Sequence, residues 1–407
     1  MVETLQYKFA GTDGLVDLSG CDVVADFLPS VFQNWPYERV QTQSNASETL
    51  FKIEKSPSHF TLSSPIFDTK QHLEDPLNIT CSLVAQLAWA RLRHDPEMLC
   101  FHGAAIEVNG ALVLLPNKRR AGKSTLTACL ADLGYKVFTD DYLPIEIDEN
   151  GVIYGHANGA APRLRLPLPE EFSPELTGRL NAVSGLSNRQ YLYLNPPGSL
   201  LADHGERLPV STIVMLEREP GGGMALTQAK PAEVLRRVIL QNFSRHMNPA
   251  RILGIIDHLV QSTRGLDLRY ESAEAAAAFL SKELNEAHCF DASSAYGTKP
   301  DLAQQELCEE EHALAFNPDQ KYVQLKDVVE KDYQTDCFVA SKRGARIHHM
   351  DQMARAIWNL LREPAKLDDI VEVFQSAFPE MSEDDLHRDI SQTLEMFAKE
   401  GLLDHAN

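Results

Sequence analysis

The run Leu112-Val-Leu-Leu-Pro-Asn117-Lys-Arg-Arg-Ala-Gly122-Lys123-Ser124-Thr125 carries the residue types that hold nucleotide phosphates. An apolar strand ends in a loop, and Gly-Lys-Ser-Thr opens a helix whose first N–H groups and dipole favour an anion. Lys123 is expected to neutralise terminal phosphates, with the Ser124 hydroxyl facing a magnesium ion. The expected cradle is Asn117, Arg120, Ala121, Gly122, Lys123, Ser124 and Thr125. Asn117 stands where the usual pattern has its first glycine. Asparagine tolerates a left-handed backbone better than most residues, so the turn is expected to survive there. The bulky Lys118, Arg119 and Arg120 that follow either add contacts to phosphate or an acidic substrate, or block the pocket.

The flanking elements must position that loop. Ala104–Val108 and Ala111–Leu115 are apolar runs joined by Asn109-Gly110, the strongest two-residue hairpin signal. Leu126, Leu130 and Leu133 then recur at helical spacing, and Gly134 sits where the helix would stop. Tyr135–Phe138 reads as a short buried strand with Asp140-Asp141 at its carboxyl end. In an open parallel sheet the ligand crevice lies at that edge, so loop and aspartates are expected to face one site. One carboxylate can accept the proton of an attacking hydroxyl while the other holds magnesium. Alone, the pair reads as turn residues before Leu143–Ile147; beside the phosphate loop it reads as catalytic.

His102–Gly110, Ala121–Leu126 and Gly134–Asp141 together resemble the HPr serine kinase family, related in core architecture to phosphoenolpyruvate carboxykinases. A weaker similarity continues through Arg163–Leu166, Asn188–Tyr191 and the strand Ser211–Glu217. The resemblance implies an ATP- and Mg2+-dependent kinase in which Lys123 and Ser124 serve nucleotide and metal. Asp140 would be the general base, Asp141 a metal ligand or electrostatic partner, and His102 a neighbour of the transferred phosphate. His102 reads equally well as a satisfied strand-end histidine. Arg163, Arg165 and Arg189 are candidates for clamping phosphate or substrate, or are solvated loop charges.

The C-terminal end carries a different pattern. Cys337–Ala340 and Ala345–His348 flank Ser341–Gly344 as strand, turn and strand. Helices are predicted over Met353–Leu361, Leu367–Phe378 and from Ser382, where Asp385 three residues on suggests a carboxylate form of the capping box. Ile347–Met350, Ala354–Trp358, Leu367–Ile370 and Phe397–Leu403 resemble the PqqD-like family, small winged-helix-like domains that recognise peptides in ribosomal peptide modification. Such domains bind a leader segment as an added strand. Trp358 reads as core rather than as a docking aromatic.

The expected architecture is an α/β P-loop kinase core of HPr-kinase type with a small β-rich N-terminal lobe and a C-terminal winged-helix-like α+β domain. The expected boundaries are 1–75 for the lobe, 76–287 for the core, 288–320 for a linker and 321–407 for the peptide-binding domain. Helices are predicted over Asn78–Arg93, Pro231–Asn242 and Ser272–Asn285, and Gly221–Gly223 is read as a hairpin loop. The chain has 407 residues, 43% hydrophobic, with a net charge of −20, which argues against nucleic acid or an anionic membrane as partner. Seven cysteines without a Cys-x-x-Cys pair argue against a disulfide framework or structural zinc. With no leader pattern and no apolar run of the ~18 residues that span a bilayer, the cytoplasm is the expected compartment. The partner is expected to be a peptide or protein substrate, and the resemblance leaves room for a homo-oligomer. Two other readings stay open: a small-metabolite kinase, and an inactive scaffold that binds peptide.

Overall fold

Around the Asn117–Gly122 loop, buried apolar strands such as Ala104–Val108 and Ala111–Leu115 build a mixed sheet. A computed structural model describes residues 5–40, 48–118, 120–244, 246–285, 290–302, 313–334, 336–342, 344 and 346–406. The chain forms two compact units, Met1–Lys230 with Leu240–His246 and Ser262–Lys299, and Pro231–Ile239 with Met247–Gln261 and Pro300–Asn407. Both contain helices and sheets, so the fold is mixed α/β. The second unit differs from the expected 321–407 domain, because it also takes two segments from within 76–287.

In the first unit, nine described strands form one sheet. Its path runs Val137–Thr139, Ala104–Val108, Ala111–Leu115, Arg207–Arg218, Ile153–His156, Tyr142–Ile147 and Leu99–His102, with Arg264–Tyr270 and Ala225–Gln228 branching from Arg207–Arg218. Ala111–Leu115 and Arg264–Tyr270 both lie parallel to Arg207–Arg218; every other pair in the sheet is antiparallel. The expected open parallel sheet is therefore corrected to a mixed one. Even so, Val137–Thr139 and Ala111–Leu115 are each antiparallel to Ala104–Val108, so their carboxyl ends share an edge. Gly221–Gly223 is not a hairpin loop, because Ala225–Gln228 pairs with Arg264–Tyr270 and not with the strand that precedes the glycines.

The helix Lys123–Asp132 buries Leu126, Ala128, Cys129 and Leu130 and ends before Gly134, whose φ of 95° suits a left-handed stop. The helix Pro76–His94 starts because Asp75 accepts from the Leu77 and Asn78 amides at 2.8 and 3.1 Å with proline at the first position. The N-terminal segment adds a six-stranded sheet and the helix Asp22–Val31, closed over Phe9, Phe32, Trp35 and Phe51.

In the second unit Val328–Tyr333, Asp336–Ser341 and Ile347–Met350 form an antiparallel sheet, followed by helices Gln352–Leu360, Leu367–Ala377 and Glu383–Lys399. Leu386, Ile390, Leu394 and Phe397 bury one stripe against Trp358, which is 1% exposed. Ser382 precedes the last helix but makes no side-chain cap, so the expected capping box is absent there; Asp369 instead bonds back to the Lys366 amide at 3.1 Å. Asp257, on the helix Pro249–Ser262, accepts from the Tyr333 hydroxyl at 2.6 Å and pairs with Lys331 at 2.7 Å. Among the described residues no helix is long and apolar enough to cross a membrane.

A buried basic pocket in the first unit sets a pH dependence. The Arg91 guanidinium donates to His156 at 3.3 Å, and the His204 ring stacks on Trp35 at 4.7 Å. Burial, with Arg91 beside it, pushes His204 from its ordinary 6.5 down to about 4, and His156 moves the same way. Depressed histidines stabilise the native state above pH 6.5, and that contribution is lost as pH falls towards 4, because the unfolded chain then binds protons that the folded one refuses. Urea midpoints measured from pH 7 to 4.5 should fall, with His204 supplying on the order of 2 kcal/mol. His204→Gln should flatten that share of the slope, and an unchanged slope would refute the assignment.

Candidate active site

The Asn117–Gly122 loop is tied to the sheet at both ends. Asn117 is fully buried; its side chain donates to the Val214 carbonyl at 3.3 Å and accepts from the Leu216 amide at 2.9 Å. It does not take the left-handed turn expected of it. The positive φ angles in the loop fall at Arg120, 66°, and Gly122, 91°. Asparagine replaces glycine here because its amide bridges to the neighbouring strand. At the other end the Tyr270 hydroxyl donates to the Ala121 carbonyl at 3.0 Å. A Cβ on Gly122 would meet that hydroxyl at 2.2 Å. Burial pushes Tyr270 up to about 12, so it stays a donor.

Gly122 opens the Lys123–Asp132 helix with no side-chain cap. Gly122 itself offers no side chain to cap it, and the amides at a helix start favour an anion. Lys123 is buried and its ammonium donates to the Asn117 carbonyl and, at 3.3 Å, to the Lys118 carbonyl. Thr125 follows within the first turn, and Lys118 and Arg120 are exposed. Arg119 lies outside the described residues.

The aspartates lie where the chain steps from Val137–Thr139, at one end of the sheet path, to Tyr142–Ile147 near the other. Thr139 braces that step: its hydroxyl accepts from the Asp141 and Tyr142 amides, each at 3.1 Å, and from the Asn158 side chain at 3.0 Å. The aspartates are thus turn residues held in place by Thr139. Asp140 accepts from the Arg163 amide at 3.0 Å, and the Ser124 side chain lies near enough to favour its charged form. Asp141 is held by His102 Nε2 at 3.0 Å on one oxygen and by the Arg163 guanidinium at 2.7 Å on the other. Five predicted residues, His102, Ser124, Asp140, Asp141 and Arg163, are thereby brought into one cluster.

That bonding pushes the two carboxyls apart. Burial raises Asp140 to about 6, and the Asp141 charge adds to it against the pull of Arg163. Burial works the same way on Asp141, but Arg163 and His102 outweigh it and hold the group down to about 2. Burial also raises the nearby Cys81 thiol and Tyr193 phenol, so neither adds a charge beside Arg163. Of the two expected metal ligands, Ser124 lies near Asp140, and Asp141 is bonded to His102 and Arg163.

Arg165 and Arg189 are exposed and stand outside the cluster. Sequence reasoning missed Tyr270, although the carboxyl end of a strand parallel to the loop-bearing one was the place to look. A cavity of about 400 Å³ lined by Asn109, Ser211, Arg264 and Asp291 includes none of the cluster residues.

The model of the family described as coenzyme PQQ synthesis protein D (PqqD) matches residues 337–403. This segment is PqqD-like. The solved HPr(Ser) kinase/phosphatase from Coxiella burnetii is weakly similar, at 12% identity and a TM-score of 0.25, over 46% of this chain and 92% of that one. Among curated proteins none matches the chain.

The Gly122–Tyr270 contact is testable by a double-mutant cycle. Gly122→Ala should cost roughly 2 kcal/mol or more, from the hydroxyl clash and the positive φ together. In a Tyr270→Phe background the same change should cost clearly less. Equal costs, read from denaturant midpoints, would mean that the hydroxyl does not press on Gly122.

Proposed function

We propose that the chain is an ATP-dependent phosphotransferase acting on a hydroxyl, in the simplest case a serine, of a peptide captured by its PqqD-like segment. The observation that carries this reading is the nearness of Ser124, in the first turn of the Lys123–Asp132 helix, to Asp140 beside the His102–Asp141–Arg163 cluster.

The donor set fits a magnesium nucleotide. Lys123 and the first amides of its helix would hold the phosphates, and Ser124 would hold the cation. Bound there, Mg2+–ATP supplies the phosphoryl group and neutralises charge on its oxygens. Asp140, with a carboxyl pushed up to about 6, is ionised at neutral pH yet basic enough to take the proton of an incoming hydroxyl. Asp141 stays charged beneath it and, with His102, fixes Arg163. Lys123 must turn away from the Asn117 and Lys118 carbonyls to reach a phosphate. The PqqD-like match supports a peptide partner, because domains of this family are associated with peptide binding. Tethering the capture site in the same chain would raise the effective concentration of the acceptor.

The inward-turned Lys123 favours one alternative, a scaffold that binds peptide without transferring phosphate. Incubation with labelled ATP, Mg2+ and serine peptides separates the two. Transfer should rise with pH through about 6 as Asp140 ionises. Asp140→Asn and Lys123→Ala should each lower it by about 10²-fold or more. Label appearing equally with wild type and both variants, or with none of the three, would reject the kinase.

A further inference from the structure

Arg163 and Arg165 flank Leu164 on the short strand Arg163–Arg165, so alternation puts both side chains on one face, roughly 7 Å apart along the strand. Both guanidinium groups lie over the Tyr191 ring, 5.3 and 5.5 Å from its centroid. Their situations otherwise differ. Arg163 is committed to Asp141, and its amide to Asp140. Arg165 is exposed and has no ion pair among the described residues, in a chain with 58 acidic and 38 basic side chains.

Its position is nevertheless fixed. Tyr191 pairs with Arg165 across the sheet, and its amide donates to Asn188 at 2.8 Å. Asn188 in turn donates to Asp75 and Asn78 at 2.7 and 2.9 Å, anchoring the turn that also presents the exposed Arg189. A cation held by an aromatic ring, with its planar fork left open, is preorganised for a carboxylate from outside.

We infer that Arg165, supported by Arg189, reads an acidic side chain of the acceptor, so that the preferred substrate is a serine with an aspartate or glutamate close by in sequence. This rests on the kinase reading and adds the acceptor's chemistry to it. With the reacting hydroxyl at Asp140, which is bonded two residues along the strand from Arg165, the acidic residue falls within about two or three residues of the serine. In so acidic a chain, a local cation also offsets the repulsion that such a peptide would meet elsewhere.

The full-length protein, with Mg2+–ATP, is assayed on serine peptides carrying Glu, Gln or Lys at each flanking position. Wild type should show an acceptor KM about tenfold lower for Glu than for Gln at one or two positions, with the gap closing as salt rises. Arg165→Ala should erase the gap, Arg165→Glu should turn the preference towards Lys, and the KM for ATP should hold within about twofold in both. Transfer without acidic preference, or a rise in the ATP KM in place of the acceptor KM, would overturn the inference and leave the kinase standing. Absence of transfer to every peptide would overturn both.

Discussion

The buried pair between Asp141 and Arg163 is the interaction on which the candidate site depends. Burying one carboxylate against a guanidinium costs desolvation that only good geometry recovers. Here both Asp141 oxygens are bonded, one by Arg163 and one by His102. Arg163 then has its backbone in place to donate to Asp140. A single arginine therefore holds both aspartates by different atoms, and the difference in their proton affinities follows from that division. Without it, two adjacent buried carboxylates would repel each other with nothing to set which one ionises first.

The Asn117–Gly122 loop shows a second constraint of the same kind. Loops of this type usually rely on glycine for close backbone turns. This one uses tertiary bonds, with Asn117 reaching Val214 and Leu216 and Tyr270 reaching Ala121. Both bracing strands run parallel to the strand that bears the loop or lie beside such a strand, so sheet and loop geometry are fixed together.

What was legible in the sequence was local. The hairpin at Asn109-Gly110, the helix after Gly122 and the strand before Asp140 follow from spacing and turn residues within a dozen positions. That Ser124 and Asp140 would lie close was legible only from their residue types, through the expectation that loop and aspartates face one site. What escaped depended on distant pairing: Asn117 bonds to residues about a hundred positions away, and Tyr270 reaches back 149. Sheet direction escaped for the same reason, since a buried run reads alike whether its neighbour is parallel or antiparallel. Arg163 looked like one of three equivalent arginines because nothing in its neighbours reveals which carboxylate it faces.

The helix Pro249–Ser262 has a wider meaning for how the two halves of the chain became one molecule. Its segment Met247–Gln261 belongs with the C-terminal residues, and Asp257 finds Lys331 and Tyr333 there. The polypeptide thus contributes to the second unit before completing the first, whose last strand begins only at Arg264. A chain laced in this way resists being trimmed. Removing everything after Lys299 would take Lys331 and Tyr333 from Asp257 and divide the second unit itself.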